Sequence, residues 1–380
     1  MSTTKTVYLS LGSNLGNRLA QLQRAIFMLG SQLGPVNKIS SVYESKAWGF
    51  EGENFLNICL GMDTQAPPET ILKILLEIES SMGRERREES GYISRNIDID
   101  ILYYGQEIVN MDHLIIPHPQ LHNRRFVLKP LADIAAQFYH PQLQKDTRNL
   151  LQECRDRSEV QKTVHLLFKS RHDLFTQLHF LAIEGNIGAG KTTLAQKIAE
   201  DFKAKLILER FADNPFLPKF YKDQARYAFP LEMSFLADRF QQFTDDTSQF
   251  DLFKNFMVSD YDVFKSLIFA EITLQNEEFS LYKQLFNFMY KEVKKPDLYV
   301  YLYQDTHRLL ENIKQRGRDY EQDIPPDYLD KINKGYLHYV KTYPHKNSLI
   351  LDVSELDFVK NPSDYEAIIS KIENQILENY

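Results

Sequence analysis

Cysteine is scarce, with only Cys59 and Cys154 in 380 residues. That excludes a disulfide framework and fits a reducing compartment. Long apolar runs are missing too. None approaches the ~18 residues that mark a membrane-spanning helix. The opening MSTTKTVYLS passes straight into a strand pattern with no signal peptide, so a cytoplasmic location is expected. No sign of charge dominates. Residues 1–160 carry 17 Lys+Arg against 19 Asp+Glu, and the remainder 28 against 33, for a total of −7. Neither half is a basic nucleic-acid binder. Repeats and low-complexity tracts are absent. What remains is an ordinary globular composition, 43% hydrophobic and 26% charged. The length suggests two or three domains.

The strongest motif is Gly185-Asn186-Ile187-Gly188-Ala189-Gly190-Lys191-Thr192-Thr193, which fits G-x-x-x-x-G-K-T. The apolar residues 180–183 before it read as a buried strand, and 193–202 as a helix. In that context the glycines let backbone N–H groups turn inward around phosphate oxygens at a helix N-terminus. Lys191 can reach the outer phosphates, and the Thr192 hydroxyl can sit on Mg²⁺. The loop points to a nucleoside triphosphate but leaves residues 1–180 unexplained.

In that first stretch, strands are expected over 6–10, 39–45, 55–62 and 97–104. Helices are expected from Asn17, a plausible N-cap, to 29 and from Pro67-Pro68 to 81. Gly105-Gln106 reads as a tight hairpin turn. Hairpin signals mixed with helices indicate an α+β layout with an antiparallel or mixed sheet. Alternation puts Asp98 and Asp100 on one face of their strand. Such a pair is either two solvated acids or a site for Mg²⁺ shared with phosphate oxygens. Arg84, Arg86, Arg87 and Arg95 lie just upstream. They form either a solvated mixed-charge loop or a set of guanidinium forks for polyphosphate.

Taken in order, several segments resemble the 6-hydroxymethyl-7,8-dihydropterin pyrophosphokinase family over about residues 5–160. They are Gly12-Ser13-Asn14-Leu15-Gly16, Phe55-Leu56-Asn57, Glu79 with Gly83-Arg84-Glu85-Arg86, Arg95-Asn96-Ile97-Asp98-Ile99-Asp100-Ile101, Pro117-His118-Pro119 and Arg124-Arg125-Phe126. The resemblance implies a ferredoxin-like fold and transfer of pyrophosphate from ATP to the pterin hydroxymethyl group, with AMP released, in folate synthesis. It implies that Asp98 and Asp100 hold Mg²⁺. Arg84, Arg86, Arg95, His118 and Arg124 would then grip ATP phosphates or close the site. Phe55 and Phe126 would sandwich the pterin ring, Asn57 would read its edge, and Trp48 would border it. Loops 46–54 and 83–95 would be lids that exclude water, with Tyr92 standing where the family often has tryptophan.

Residues 152–178 contain no glycine or proline and read as a helix finishing the first domain, followed by a connector. Beyond the phosphate loop, strands are expected over 205–208, 256–258, 297–303 and 348–353. Helices are expected over 229–243 and 306–315, with a long helical stretch to about 294. Strands separated by helices around a phosphate loop indicate a doubly wound α/β sheet with ligands at the strand C-terminal ends. Glu209, just past a strand end, is either an exposed acid or a base for an attacking hydroxyl. Asp260, at the next strand end, can hold the Mg²⁺ shell. Arg316-Gly317-Arg318, with Glu321 and Pro325-Pro326, is either a lid over phosphates or a basic helix end favoured by the macrodipole.

Ile183 to Thr192, Phe235-Leu236-Ala237-Asp238-Arg239 and Arg316-Gly317-Arg318 resemble the deoxynucleoside kinases, in their bacterial deoxyguanosine/deoxyadenosine branch, over about 179–360. The resemblance implies phosphoryl transfer to a deoxynucleoside 5′-hydroxyl. Glu209 would be the base, Tyr221 and Glu321 would touch the sugar, and Arg316 and Arg318 would form the lid. Many members carry Glu/Asp-Arg-Ser where this chain has Ser259-Asp260-Tyr261, so the missing positive charge is expected from Arg239. Many also read the base with glutamine, where this chain has Glu232. An ionised carboxylate only accepts hydrogen bonds and would suit guanine.

The expected protein has a pyrophosphokinase domain over 1–165, a connector over 166–178 and a deoxynucleoside kinase domain over 179–380. Both use ATP and Mg²⁺, act on small molecules, and pair as a homodimer through the second domain. Neither an N-K-x-D nor an L-S-G-G-Q motif is present, which argues against a GTPase and a transporter ATPase. The alternatives for the second domain are a nucleotide-binding regulatory pseudokinase and a nucleoside monophosphate kinase.

Overall fold

The computed structural model describes residues 4–48, 52–83, 94–210, 214–248, 254, 256–342 and 347–379. The chain divides into two compact units, Met1–Leu174 with Asn379–Tyr380, and Phe175–Glu378.

The first unit contains β1 (Lys5–Ser13), α1 (Arg18–Leu33), β2 (Val36–Ile39), β3 (Tyr43–Ser45), β4 (Phe55–Thr64), α2 (Pro68–Ser81) and β5 (Asp98–Tyr104). A short ribbon of β6 (Val109–Met111) and β7 (Leu114–Ile116) follows, then α3 (Arg125–Ala135), α4 (Thr147–Glu153) and β8 (Val160–Lys162), and α5 (Arg171–Phe175) runs across the boundary. The main sheet runs β5-β1-β4-β3-β8, all antiparallel, with β2 also on β4. Strand alternation decides its two faces. Val7, Leu9, Leu11, Ile58, Leu60, Ile99 and Ile101 form one core with the apolar stripes of α1 and α2. Tyr8, Cys59 and Leu102 form the other with α3 and α4. The Asn17 side chain caps α1 by accepting from the Ala20 amide.

Several sequence expectations need correction. Gly105-Gln106 turns the chain but does not make a hairpin on β5. The next strand pairs with β7, and the Gly105 amide bonds back to Thr6. The single strand expected over 39–45 is two, broken at 40–42, where the Ser40 hydroxyl takes the Cys59 amide that a strand carbonyl would otherwise accept. β8 was not expected, since it is short and polar, with only Val160 buried.

The second unit contains β9 (Phe180–Gly185), α6 (Lys191–Asp201), β10 (Lys205–Ile207), α7 (Leu217–Phe220), α8 (Gln224–Ser248), β11 (Met257–Ser259), α9 (Lys265–Thr273) and α10 (Asn276–Tyr290). It ends with β12 (Leu298–Tyr303), α11 (Thr306–Arg316), α12 (Pro326–Thr342), β13 (Ser348–Asp352) and α13 (Pro362–Leu377). Its five-stranded sheet, β10-β11-β9-β12-β13, is parallel throughout. The strands are near-continuous apolar runs because both faces are buried; Phe180 to Ile183 and Leu298 to Leu302 are all fully covered. β9 is central, so the chain builds outward on both sides of it, and its C-terminal end is a natural ligand crevice. The long helical stretch expected after Tyr261 is broken into α9 and α10 at Leu274, where Gln275 and Glu278 form a capping box. Pro326, grouped above with the lid, opens α12, a position where its missing N–H costs nothing.

Candidate active sites

In the first unit the sheet face under α3 is left bare at one end. The register lines up Asp98, Gly12, Asn57 and Tyr43 across β5, β1, β4 and β3, with Asp100 opposite Ser10. A Cβ at Gly12 would just touch Asn57 Oδ1 and the Phe55 ring, both at 3.4 Å. Phe55, Asn57, Trp48 and Phe126 line a cavity with Ser45, Arg95, Asp98, Asp100 and Arg124. Trp48 and Phe126 lie 6.0 Å apart. The Asn57 amide donates to Ser45 Oγ at 3.0 Å, which fixes its orientation.

β5 is an edge strand. Its Ile99 amide is taken by Glu79 of α2 at 2.8 Å, and Glu79 is buried. That bond holds the backbone between the two aspartates. Arg95 pairs with Asp98 at 2.8 Å, and Arg124 and His118 both approach Asp100 to 4.0 Å. Burial, aided by the Arg124 charge, pushes the His118 imidazole down to about 4, so the ring is neutral at pH 7. Its Nδ1 accepts from the Gln120 amide, which places the proton on Nε2, the nitrogen facing Asp100. Among the described residues no group of three or more His, Cys, Asp or Glu could cage a metal. Two carboxylates beside guanidiniums instead suit a hard cation that completes its shell with phosphate oxygens. Arg84, Arg86 and Tyr92 lie outside the described residues.

In the second unit the site gathers at the C-terminal ends of β9, β10 and β11. Gly188 and Gly190 both have φ of +84°, and a Cβ at Gly190 would lie 2.7 Å from the Phe358 ring. Only glycine suits such a left-handed, crowded position. Asn186 is pinned from its side chain to Leu329 O and Asn333, while Asn312 holds the Gly188 carbonyl. Ala189 is buried within the loop and Thr193 continues α6. Lys191 donates to the Asn186 carbonyl at 2.8 Å, and burial, with the Lys265 charge adding, lowers its ammonium to about 8. Thr192 Oγ1 donates to Asp260 Oδ2 at 2.5 Å, and Asp260 Oδ1 takes the Glu209 amide. A threonine hydroxyl beside a strand-end aspartate is the donor set that P-loop enzymes use for Mg²⁺.

Glu209 is gripped from two sides. Arg239 reaches Oε1 at 2.7 Å and Lys265 reaches Oε2 at 2.8 Å, with all three side chains nearly buried. Burial alone would raise this carboxyl, but Lys265 and Arg239 override it and hold it far below the usual carboxylate range. Arg239 also donates to Ser266 Oγ at 2.8 Å. Sequence reasoning placed Arg239 here but missed Lys265. The available signal was a single lysine inside the apolar run Phe264-Lys265-Ser266-Leu267-Ile268. Arg316 and Arg318 both pair with Glu321, which is buried. Tyr221 stacks on Tyr320 at 6.1 Å, and its neighbours include Glu321, Arg316 and Glu232.

Both units therefore present cations and carboxylates arranged for polyphosphate. The comparisons with known proteins divide the chain in the same way. The family model described as deoxynucleoside kinase matches residues 181–378, and that described as 7,8-dihydro-6-hydroxymethylpterin-pyrophosphokinase matches 8–136. Deoxyguanosine kinase of Bacillus subtilis (strain 168) is 36% identical over 202 residues, which is 52% of this chain and 98% of that protein. The 2-amino-4-hydroxy-6-hydroxymethyldihydropteridine pyrophosphokinase of Aquifex aeolicus (strain VF5) is 44% identical over 137 residues, 36% of this chain and 84% of that protein. A solved structure of deoxyadenosine kinase from M. mycoides with bound dATP is 24% identical with a TM-score of 0.45, covering 51% of this chain and 98% of that one. No described helix is long and apolar enough to cross a membrane. This chain belongs to two families in succession, the 7,8-dihydro-6-hydroxymethylpterin pyrophosphokinases through residues 8–136 and the deoxynucleoside kinases through residues 181–378.

Proposed function

We propose that the chain is a bifunctional kinase running two separate transfers. The first unit moves pyrophosphate from ATP to the hydroxymethyl group of 6-hydroxymethyl-7,8-dihydropterin and releases AMP. The second moves the terminal phosphoryl group of ATP to the 5′-hydroxyl of a purine deoxynucleoside and releases ADP. The observation that carries this is that each unit holds its own polyphosphate constellation, Asp98 and Asp100 with Arg95 and Arg124 in one, Lys191, Thr192 and Asp260 with Glu209 in the other. The functional boundary lies within 166–178, and the first unit has a ferredoxin-like arrangement. A cytoplasmic homodimer joined through the second unit completes the proposal; a monomer in light scattering would overturn that part.

In the first unit Arg95, Arg124 and neutral His118, with Arg84 and Arg86, hold the triphosphate. Phe55, Phe126 and Trp48 hold the pterin ring, and Asn57 reads its edge. In the second, the phosphate loop and Lys191 hold the donor. Arg316 and Arg318 exchange Glu321 for phosphate oxygens, freeing Glu321 to meet the sugar beside Tyr221. Glu209 receives the hydrogen bond of the attacking hydroxyl. Held anionic by Arg239 and Lys265, it is a weak base, which suits a loose transition state in which the hydroxyl proton leaves late. Mg²⁺, held by Asp98 and Asp100 in one unit and by Thr192 and Asp260 in the other, supplies charge neutralisation on the phosphate oxygens. Glu232, together with the deoxyguanosine kinase named among the relatives, supports a purine acceptor.

The test is a product assay on the full chain with ATP and Mg²⁺, adding the pterin and each deoxynucleoside singly. AMP with the pterin alone and ADP with a purine deoxynucleoside alone are expected. ADP appearing only with a deoxynucleoside monophosphate would overturn the reading of the second unit.

A further inference from the structure

Glu232 on α8 is 2% exposed, and its Oε2 has no hydrogen-bond partner among the described residues. Its Oε1 lies 3.2 Å from the Thr273 hydroxyl, within hydrogen-bond distance. A buried acceptor without a donor is costly and calls for a ligand or a role. The charged and titratable groups that face it come from every element around it. They are Arg239 on α8, Lys265 on α9, Glu209 after β10, Tyr221 after α7, Tyr282 on α10 and Tyr328 on α12. Only two of these are cations, and both already pair with Glu209. Burial, partly offset by Arg239 and Thr273, pushes the Glu232 carboxyl up to about 7. The single proton of the Thr273 hydroxyl is also directed at the Phe269 carbonyl at 2.9 Å, and Oε2 is the oxygen left for a ligand.

We propose that Glu232 is an ionisable reader of the purine edge, so that its protonation state decides whether the second site accepts adenine. This rests on the deoxynucleoside kinase reading of that unit. An ionised carboxylate offers two acceptors and no donor. Guanine matches it, because N1–H and the 2-amino group both donate. Adenine does not, because its N1 is an acceptor and would face an acceptor across a dry gap, which a polar site rejects strongly. A protonated carboxyl offers one O–H donor and one carbonyl acceptor. That pair complements adenine's N1 and 6-amino group, and it can also meet guanine at O6 and N1–H. Acid therefore opens the site to adenine without closing it to guanine. A glutamine amide would present the donor–acceptor pair at every pH and lose the dependence.

The experiment measures kcat/KM for deoxyguanosine and deoxyadenosine by ADP release from the full chain, between about pH 6 and about pH 8.5, for the unmodified protein and Glu232→Gln. Taking the ratio of the two substrates cancels any titration they share, including those of ATP and Glu209. The deoxyguanosine preference is expected to rise about tenfold per pH unit above the Glu232 midpoint and to be flat in Glu232→Gln. A flat ratio in the unmodified protein, or the same slope in the variant, overturns the proposal. If the variant does not fold, proton uptake on binding to the unmodified protein at about pH 7.5 decides, read by calorimetry in buffers of different ionisation enthalpy. Deoxyadenosine should take up close to one proton more than deoxyguanosine, and equal uptake overturns the proposal. A protein that phosphorylates no deoxynucleoside at any pH overturns the kinase reading itself, whereas a flat ratio on an active kinase overturns only the role of Glu232.

Discussion

The two sites solve one electrostatic problem in opposite ways. In the first unit the carboxylates stand on a half-exposed sheet face, and their ion pairs are partly solvated, with Asp98 and Arg95 side chains 28% and 19% exposed. In the second, the ions lie at the ends of buried parallel strands, and Glu209, Arg239 and Lys265 are 11%, 6% and 7% exposed. Solvated pairs contribute little to stability but can be exchanged readily for phosphate and metal. Buried ions must be matched among themselves before any ligand arrives, since an unpaired one is costly. The pairs of the first site are open to exchange, while those of the second are matched among themselves.

The sharpest way to break this comparison is to disable one site and read the other. Replacing both Asp98 and Asp100 with Asn should lower AMP release with the pterin by about 10³-fold or more and leave ADP release with the nucleoside unchanged. Glu209→Gln should do the reverse, by about 10²–10⁴-fold. Loss of both activities in either variant would mean that the sites are not separate.

Next in size is the contrast in stability. Lys265→Met should destabilise the second unit by on the order of 3 kcal/mol, because Glu209 keeps only one of its two buried partners. It should also raise the Glu209 carboxyl, so that an acidic limb appears in the pH profile of kcat/KM. Arg95→Met in the first unit should cost less than about 1 kcal/mol while still damaging turnover. Chemical denaturation of both variants checks this, and equal losses would remove the distinction.

The units should also respond oppositely to pH. His118 is lowered to about 4 from its ordinary 6.5, so below pH 6.5 the unfolded chain binds more protons. The first unit then loses stability as pH falls toward about 4. Glu232 and Asp262 are raised to about 7 by burial, so the folded second unit binds more protons, and it loses stability as pH rises from about 4.5 to about 7. Glu209 acts only at lower pH, outside this window. Timed heating between about pH 5 and about pH 6.5, followed by AMP and ADP assays at one common pH, should give slopes of opposite sign.

The smallest expected effect concerns the exit from the first unit. The buried Gln23 side chain donates to the Phe168 carbonyl at 2.7 Å and accepts its amide at 2.8 Å. Gln23→Ala should cost about 1–2 kcal/mol and speed proteolysis near residue 168, with both activities intact.

What was legible in the sequence follows the same division. Asp98 and Asp100 sit two residues apart in one strand, so alternation alone put them on a common face. The phosphate loop was legible because its glycines and lysine are contiguous. The grip on Glu209 was not, because Arg239 is 30 residues away from it and Lys265 is 56. Only the packing of α8 and α9 against the strand ends brings them together, and a lysine in an apolar helix gives no hint of its partner. β8 escaped notice because an edge strand with one buried residue has almost no alternation to show. The break between α9 and α10 escaped because apolar residues continue on both sides of the capping box.

That edge strand has a practical consequence for anyone wishing to take the protein apart. The pterin family match stops at residue 136, yet Val160, Gln161 and Lys162 close the sheet on Ser45, Glu44 and Tyr43. A fragment cut at the family boundary would bare the β3 edge next to Trp48, inviting self-association of the kind open strands promote. A fragment that keeps Phe168 retains both the closing strand and its Gln23 clasp. The region of recognisable ancestry and the smallest piece worth expressing alone are therefore different lengths of chain.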